Sequence, residues 1–155
     1  MTPDVLLRDY AAADASAVLA LITAALEEHA FSPDMGGLRN DLASAHETYH
    51  PPKGGFWVAE RNGVVIGTAA VRPKDAKTAE LKRLYVRADA RGLGLGQILY
   101  AHAESFARAA GYDKLWLDSS RRFAKARRLY EKNGFLLLEE LQNDWEDNVY
   151  EKSLR

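Results

Sequence analysis

The sequence has no cysteine. That excludes disulfides, a thiol nucleophile and every thiolate metal site, and it fits a reducing compartment. The four histidines, at positions 29, 46, 50 and 102, lie at none of the spacings used by sites such as HExxH, so no metal is expected. No apolar run approaches the ~18 residues that cross a bilayer, and Met1-Thr-Pro-Asp4 is not a basic segment leading into an apolar one. A soluble, cytoplasmic protein with no membrane partner is the expectation. Neither sign of charge is in excess. The 21 Lys and Arg against 22 Asp and Glu give a formal net charge of -1, which offers nucleic acid no general electrostatic attraction.

What is present describes a globular chain. At 155 residues with 47% hydrophobic side chains it can bury a substantial core and is expected to form one domain, 1–155. Val5–Asp9 reads as a short strand. Asp9 or Asp14 then opens a helix from about residue 13 to Glu28, with Val18, Leu19, Ile22, Ala25 and Leu26 on one face. From His29 to Pro52 the pattern weakens, and Pro33, Gly36-Gly37 and Pro51-Pro52 leave room for a short helix around Leu38 to Tyr49. A segment that shapes a substrate pocket has this character, and so has an ordinary connection. Phe56–Glu60, the turn Asn62-Gly63 and Val64–Val71 spell a β-hairpin. Pro73 to Thr78 is a solvated loop.

Residues 80 to 100 organise the rest. A strand beginning near Ala79 runs through Glu80-Leu-Lys-Arg-Leu-Tyr-Val86, and Arg91-Gly-Leu-Gly-Leu-Gly96 then leads directly into a helical pattern. Leu84 and Val86 share one strand face by the period of two, yet Leu81 falls on the other. Either both faces are covered, or a bulge inserts one residue and splays the strand from its neighbour, leaving backbone groups free for a ligand. The crossing into the helix offers unpaired N–H groups and a positive helix end to an anion such as phosphate, with Arg91 alongside. The glycine spacing is not GxGxxG, and no GK[ST] follows. Alone, three glycines are also what a bare strand-to-helix turn carries.

The following helix places Leu95, Ile98, Leu99, His102, Phe106 and Ala109 three and four apart and ends near Ala110, with Gly111 as its cap. His102 on that stripe is expected to be a buried or half-buried packing residue with a hydrogen-bond partner. Lys114–Asp118 is a strand, Ser119 or Ser120 caps a helix carrying Phe123, Ala126, Arg127, Leu129 and Tyr130, and Asn133-Gly134 stops it. Phe135–Leu138 and Asn148–Leu154 are strands, separated by an acidic segment from Glu139 to Asp147. That segment would favour a cationic acceptor if it rims a cleft, or is simply wetted surface; Trp57, Tyr85 and Trp145 line a pocket or pack. The element order predicts a mixed α/β arrangement with helices covering a central sheet.

These residues resemble the GCN5-related N-acetyltransferases. The pyrophosphate signature, Arg or Gln, two residues, Gly, one residue, Gly or Ala, is met by Arg91 to Gly96. The resemblance continues through Gly111-Tyr112, Leu115 to Asp118, Leu129-Tyr130-Glu131, Asn133-Gly134-Phe135 and Tyr150 to Leu154. It is strong from residue 79 onward, compatible from 56 to 71 and loose before that. It implies a mixed, mostly antiparallel central sheet with a splayed central strand pair, and acetyl coenzyme A as co-substrate.

The resemblance also implies roles. The backbone of Leu84, Tyr85 and Val86 would pair with pantetheine, and the main-chain amides of Gly92, Leu93, Gly94, Leu95 and Gly96, with Arg91 nearby, would hold the pyrophosphate. Tyr130 matches the general acid that protonates the departing thiolate. Glu80, eleven residues before Arg91, matches a glutamate that serves some members as general base, often through water. Ser119 or Ser120 and Lys125 match positions that touch the coenzyme. The chemistry asks for such groups, because an amine must shed a proton before attacking a thioester and the thiolate leaves poorly unprotonated. With no cysteine for an acyl-enzyme, direct transfer in a ternary complex is expected. A longer acyl donor, or an acyl coenzyme A sensor without turnover, stays open. The acceptor is a small-molecule amine or a protein amine, and a homodimer is common among such proteins.

Overall fold

The computed structural model describes residues 4–33, 36–140 and 148–155. Trp145 and most of the acidic segment lie outside them. Seven strands form one sheet: β1 (Val5–Asp9), β2 (Gly55–Arg61), β3 (Val64–Pro73), β4 (Thr78–Val86), β5 (Lys114–Ser119), β6 (Leu136–Glu140) and β7 (Asn148–Ser153), in the order β1-β2-β3-β4-β5-β7-β6. Every neighbouring pair is antiparallel except β4 with β5. The mixed, mostly antiparallel sheet read from the resemblance is what the chain forms.

Among the described residues five α-helices cover it: α1 (Ala15–Glu28), α2 (Leu38–Ala43), α3 (Ala45–Thr48), α4 (Leu95–Ala109) and α5 (Ala124–Lys132). Strand alternation sorts the core into two. Trp57, Ala59, Ala69, Val71, Ala79 and Leu81 face α4, while Phe56, Val58 and Ala70 face α1, α2 and α3. The Asn62-Gly63 turn has positive φ at both residues, 52° and 78°, as a two-residue hairpin of type I′ requires.

Several local expectations needed tertiary correction. The helix expected over Leu38 to Tyr49 is two, because the Ser44 hydroxyl donates to the Asn40 carbonyl at 2.9 Å and competes with the backbone where α2 ends. Asp14 stands at the N-cap of α1, as one of the two expected positions, but its side chain makes no capping bond to that helix. Its carboxylate accepts from Ala11 N–H at 2.8 Å and from both terminal nitrogens of Arg8, and a single 3-10 turn precedes the helix. Neither serine caps α5, whose N-cap is Phe123; Ser120 Oγ instead accepts from Arg122 N–H at 3.1 Å. His102 is exposed, its ring edge-on to Trp57 at 4.9 Å, because the buried stripe of α4 runs through Leu95, Leu99, Ala103 and Ala107. Trp57 is a core residue under α4, not a pocket wall.

The ends of α5 and β4 set up the site. Gly134, at φ 89°, lets Phe135 N–H donate back to the Tyr130 carbonyl at 3.0 Å and lays the Phe135 ring 5.7 Å from that of Tyr130. In β4 a bulge resolves the misplaced Leu81. Thr68 pairs with Tyr85 but Ala70 with Lys82, so β4 holds one extra residue, and Arg83 takes φ 55°. Leu81, Leu84 and Val86 thereby reach the same core. A left-handed non-glycine residue costs about 1–3 kcal/mol unless its surroundings hold it. Here the Thr68 hydroxyl donates to the Arg83 carbonyl at 2.6 Å, and the guanidinium donates to Asp41 Oδ2 at 2.7 Å and to the Gly36 carbonyl at 3.3 Å.

Candidate active site

Beyond the bulge, β4 and β5 part. They pair in parallel only at Thr78, Ala79 and Glu80, and the gap between them opens toward their C-terminal ends. Arg87 N–H still donates to the Ile66 carbonyl of β3 at 2.8 Å. Backbone groups alternate direction along a strand, so the N–H of Val86 faces away from β3 and into the gap. The main chain from Leu84 to Val86 thus has ladder groups that no strand satisfies.

Two adjacent spaces occupy the gap. The outer one is a cleft of about 430 Å³ lined by Leu84, Tyr85, Val86, Arg91, Gly92, Gly94, Leu95, Gly96 and Lys125, all expected from the sequence. The inner one is a slot of about 100 Å³ lined by Ser119, Ser120 and Tyr130 together with Lys82, Arg83 and Asp118. Leu84, Tyr85, Phe123 and Ala126 line both. An elongated ligand entering at the glycine loop and reaching Tyr130 would therefore pass these four residues.

The glycine loop is built for a close approach. Gly94, at φ 75°, is the N-cap of α4, and a Cβ added there would meet no atom within 4 Å. It is the backbone conformation, not crowding, that calls for glycine. The amides of the first helical turn have no intrahelical acceptor and carry the positive end of the helix dipole. Arg91 is ordered beside them: Nε donates to the Val86 carbonyl at 3.2 Å and Nη1 to Glu28 Oε2 at 2.6 Å. The guanidinium holds the Glu28 carboxyl below the usual carboxylate range.

Tyr130 is 6% exposed, with Phe135 and Tyr150 against its ring. Burial, and after it the nearby Tyr85, Tyr150 and Asp118, push its hydroxyl pKa above the ordinary tyrosine value, so it stays protonated at neutral pH. A protonated donor facing a slot is suited to give a proton to a leaving anion.

Not every expected residue comes to these walls. Leu93 lines neither space and is 41% exposed beside the loop. Glu80 lines neither as well; its side chain, 9% exposed, accepts from Arg72 Nε at 2.9 Å across the β3–β4 pair. The sequence reading missed Ala25 and His29, which close the outer cleft from the end of α1, where the resemblance is loose. It also missed Phe123, whose ring lies tilted at 51° to that of His29 with centroids 4.5 Å apart and which lines both spaces. Asp118, the one carboxylate among the slot's lining residues, was legible only as the end of a strand. Among the described residues no group of three His, Cys, Asp or Glu side chains could hold a metal ion, and no helix is long and apolar enough to cross a membrane.

A glycine-loop cleft feeding a gap between two diverging strands, with a buried tyrosine at its inner end, defines a class of acyl-transfer folds. The acetyltransferase (GNAT) family model matches residues 20–135, and the chain belongs to that family. It is 33% identical over 117 residues to an uncharacterized N-acetyltransferase of Schizosaccharomyces pombe, covering 74% of this chain and 72% of the relative. It is 38% identical over 104 residues to N-acetyltransferase 8 of Mus musculus, covering 63% of this chain but only 46% of that longer protein. In fold it matches a GNAT-family acetyltransferase of Staphylococcus aureus with a TM-score of 0.89 at 21% identity, over 97% of this chain and 99% of the other. It also matches yncA of Salmonella typhimurium, whose structure contains its cofactor acetyl-CoA, with a TM-score of 0.79 at 22% identity, over 98% and 95% of the two chains.

Proposed function

We propose that the protein transfers the acetyl group of acetyl-CoA to a primary amine by direct attack within a ternary complex. The observation that carries this is the adjacency of the cleft at the glycine loop to the slot at Tyr130, the two sharing Leu84, Tyr85, Phe123 and Ala126 as walls. The acetyl-CoA bound by yncA, and the coenzyme A in the PaiA N-acetyltransferase of Thermoplasma acidophilum, support the choice of donor.

In this reading the amides from Gly92 to Gly96, with Arg91 and Lys125, hold the diphosphate, and the free backbone of Leu84 to Val86 aligns the pantetheine arm. The amine nitrogen attacks the thioester carbon; the C–N bond forms and the C–S bond breaks. The amine proton passes through water to Glu80, and the departing thiolate takes the proton of Tyr130. Val86 N–H stabilises the charge that builds on the carbonyl oxygen. Because Asp118 lines the slot and Glu80 is engaged by Arg72, Asp118 is the second candidate for the base.

Calorimetric titration of acetyl-CoA into the wild type and Gly94→Asp tests the donor site. Aspartate is among the residues that tolerate a left-handed conformation, and open space surrounds a Cβ at Gly94, so the variant should fold while placing a carboxylate in the cradle. Saturable binding by the wild type and at least a tenfold loss in the variant is expected. No binding by folded wild type would remove acetyl-CoA as the donor, and binding without transfer to any amine would favour an acyl coenzyme A sensor.

A further inference from the structure

The inner slot carries charges of its own, and they are unevenly used. On the face of β4 that looks toward α2 stand Glu80, Lys82 and Arg83, with Arg72 beside them on β3 and Asp41 reaching in from α2. Both carboxylates are engaged. Asp41 Oδ2 accepts from Arg83 Nε at 2.7 Å and from the Tyr49 hydroxyl at 2.6 Å, and Glu80 accepts from Arg72. Each arginine therefore has its counter-ion. Lys82 does not: it is half-buried, it lines the slot next to the bulge, and among the described residues it makes no hydrogen bond or ion pair. A half-buried lysine that lines a slot without a counter-ion is available to an anionic group of a ligand.

Across the gap, the β5 wall carries Asp118 close enough to Tyr130 to raise its pKa. The slot is thus lined by residues of opposite charge, Lys82 from the β4 side and Asp118 from the β5 side, where the proposed proton donor also lies. Its volume of about 100 Å³ admits a few heavy atoms, not a long chain. We propose that Lys82 determines acceptor specificity by binding a carboxylate, and that the acceptor is a small amine carrying a carboxylate close to its amino group, an amino acid. The acceptor would lie with its carboxylate on Lys82 and its amino end toward Asp118 and Tyr130. Polyamines and aminoglycosides, which carry further positive charge in place of a carboxylate, would meet Lys82 as a like charge. This inference rests on the acetyltransferase reading of the same site.

The test is a panel of amino acids, their carboxamides and spermidine, assayed by thiol release from acetyl-CoA with the wild type, Lys82→Met and Lys82→Arg, and with acetyl-CoA titrated into each protein alongside. Replacing the carboxylate by an amide removes the charged hydrogen bond but keeps the shape, so kcat/KM should fall about tenfold to a hundredfold in the wild type. Lys82→Met should abolish that difference by raising KM for the acids, and Lys82→Arg should keep it. A side chain that merely packs would not separate acid from amide. Acetyl-CoA binding with equal use of acids and amides, preference for spermidine, or rejection of every amino acid overturns the proposal while leaving the donor site standing. Failure of acetyl-CoA to bind the folded wild type overturns the acetyltransferase reading, and this inference with it.

Discussion

Replacing Tyr130 with phenylalanine isolates one hydroxyl. The ring would keep its contacts, Phe135 at 5.7 Å and Tyr150 at 5.8 Å. Among the described residues the hydroxyl makes no hydrogen bond, so its removal leaves no partner stranded. Stability should change by less than about 1 kcal/mol, and acetyl-CoA affinity by less than about threefold. Turnover is another matter. Positioned general acids contribute about 10²- to 10⁴-fold, which at 1.36 kcal/mol per decade is about 2.7–5.4 kcal/mol of transition-state stabilisation. Because the native tyrosine pKa is raised, the wild type keeps its proton through the mildly alkaline range, and no loss of rate there should trace to this group. The assay is steady-state thiol release on an accepted amine, beside calorimetry for the coenzyme and urea unfolding for stability. A variant that binds, folds and turns over within threefold of wild type would refute the assignment.

Two further outcomes follow from the same geometry. Glu80→Gln should lower kcat by about 10²- to 10⁴-fold with acetyl-CoA affinity retained, measured across pH; an unchanged profile in Glu80→Gln with a collapse in Asp118→Asn would move the base to the slot wall. Arg83→Met leaves Asp41 without its cation in a pair whose side chains are 4% and 10% exposed, so urea unfolding should show a loss of about 3–5 kcal/mol, and a loss under 1 kcal/mol would mean the bulge is held by Thr68 and the backbone without the ion pair.

The splay illustrates how much a strand can say about itself. The three-residue gap from Leu81 to Leu84 contradicted a period of two, and that contradiction alone named the bulge as one of two solutions. The choice between them depended on Thr68 and Asp41, 15 and 42 residues away from Arg83, which hold its left-handed backbone and its guanidinium. The glycine loop was legible for the opposite reason: its function resides in main-chain conformation, which Gly92 and Gly94 announce locally through positive φ.

Local order was therefore what the sequence by itself determined: the hairpin at Asn62-Gly63, the strand leading through the glycine loop into α4, the stop at Gly134, and through them the family. These depend on dihedral preference and on periodicity within one element, both of which are properties of neighbouring residues. Only the tertiary structure decided which charges meet. Glu80, a plain carboxylate at a strand start, is engaged by Arg72 from the next strand, and Arg83 is satisfied by Asp41 from a helix. Lys82 between them lines the slot and has no such partner among the described residues. Charge pairing is set by distances of a few ångström between residues far apart in the chain, and no local pattern encodes those distances.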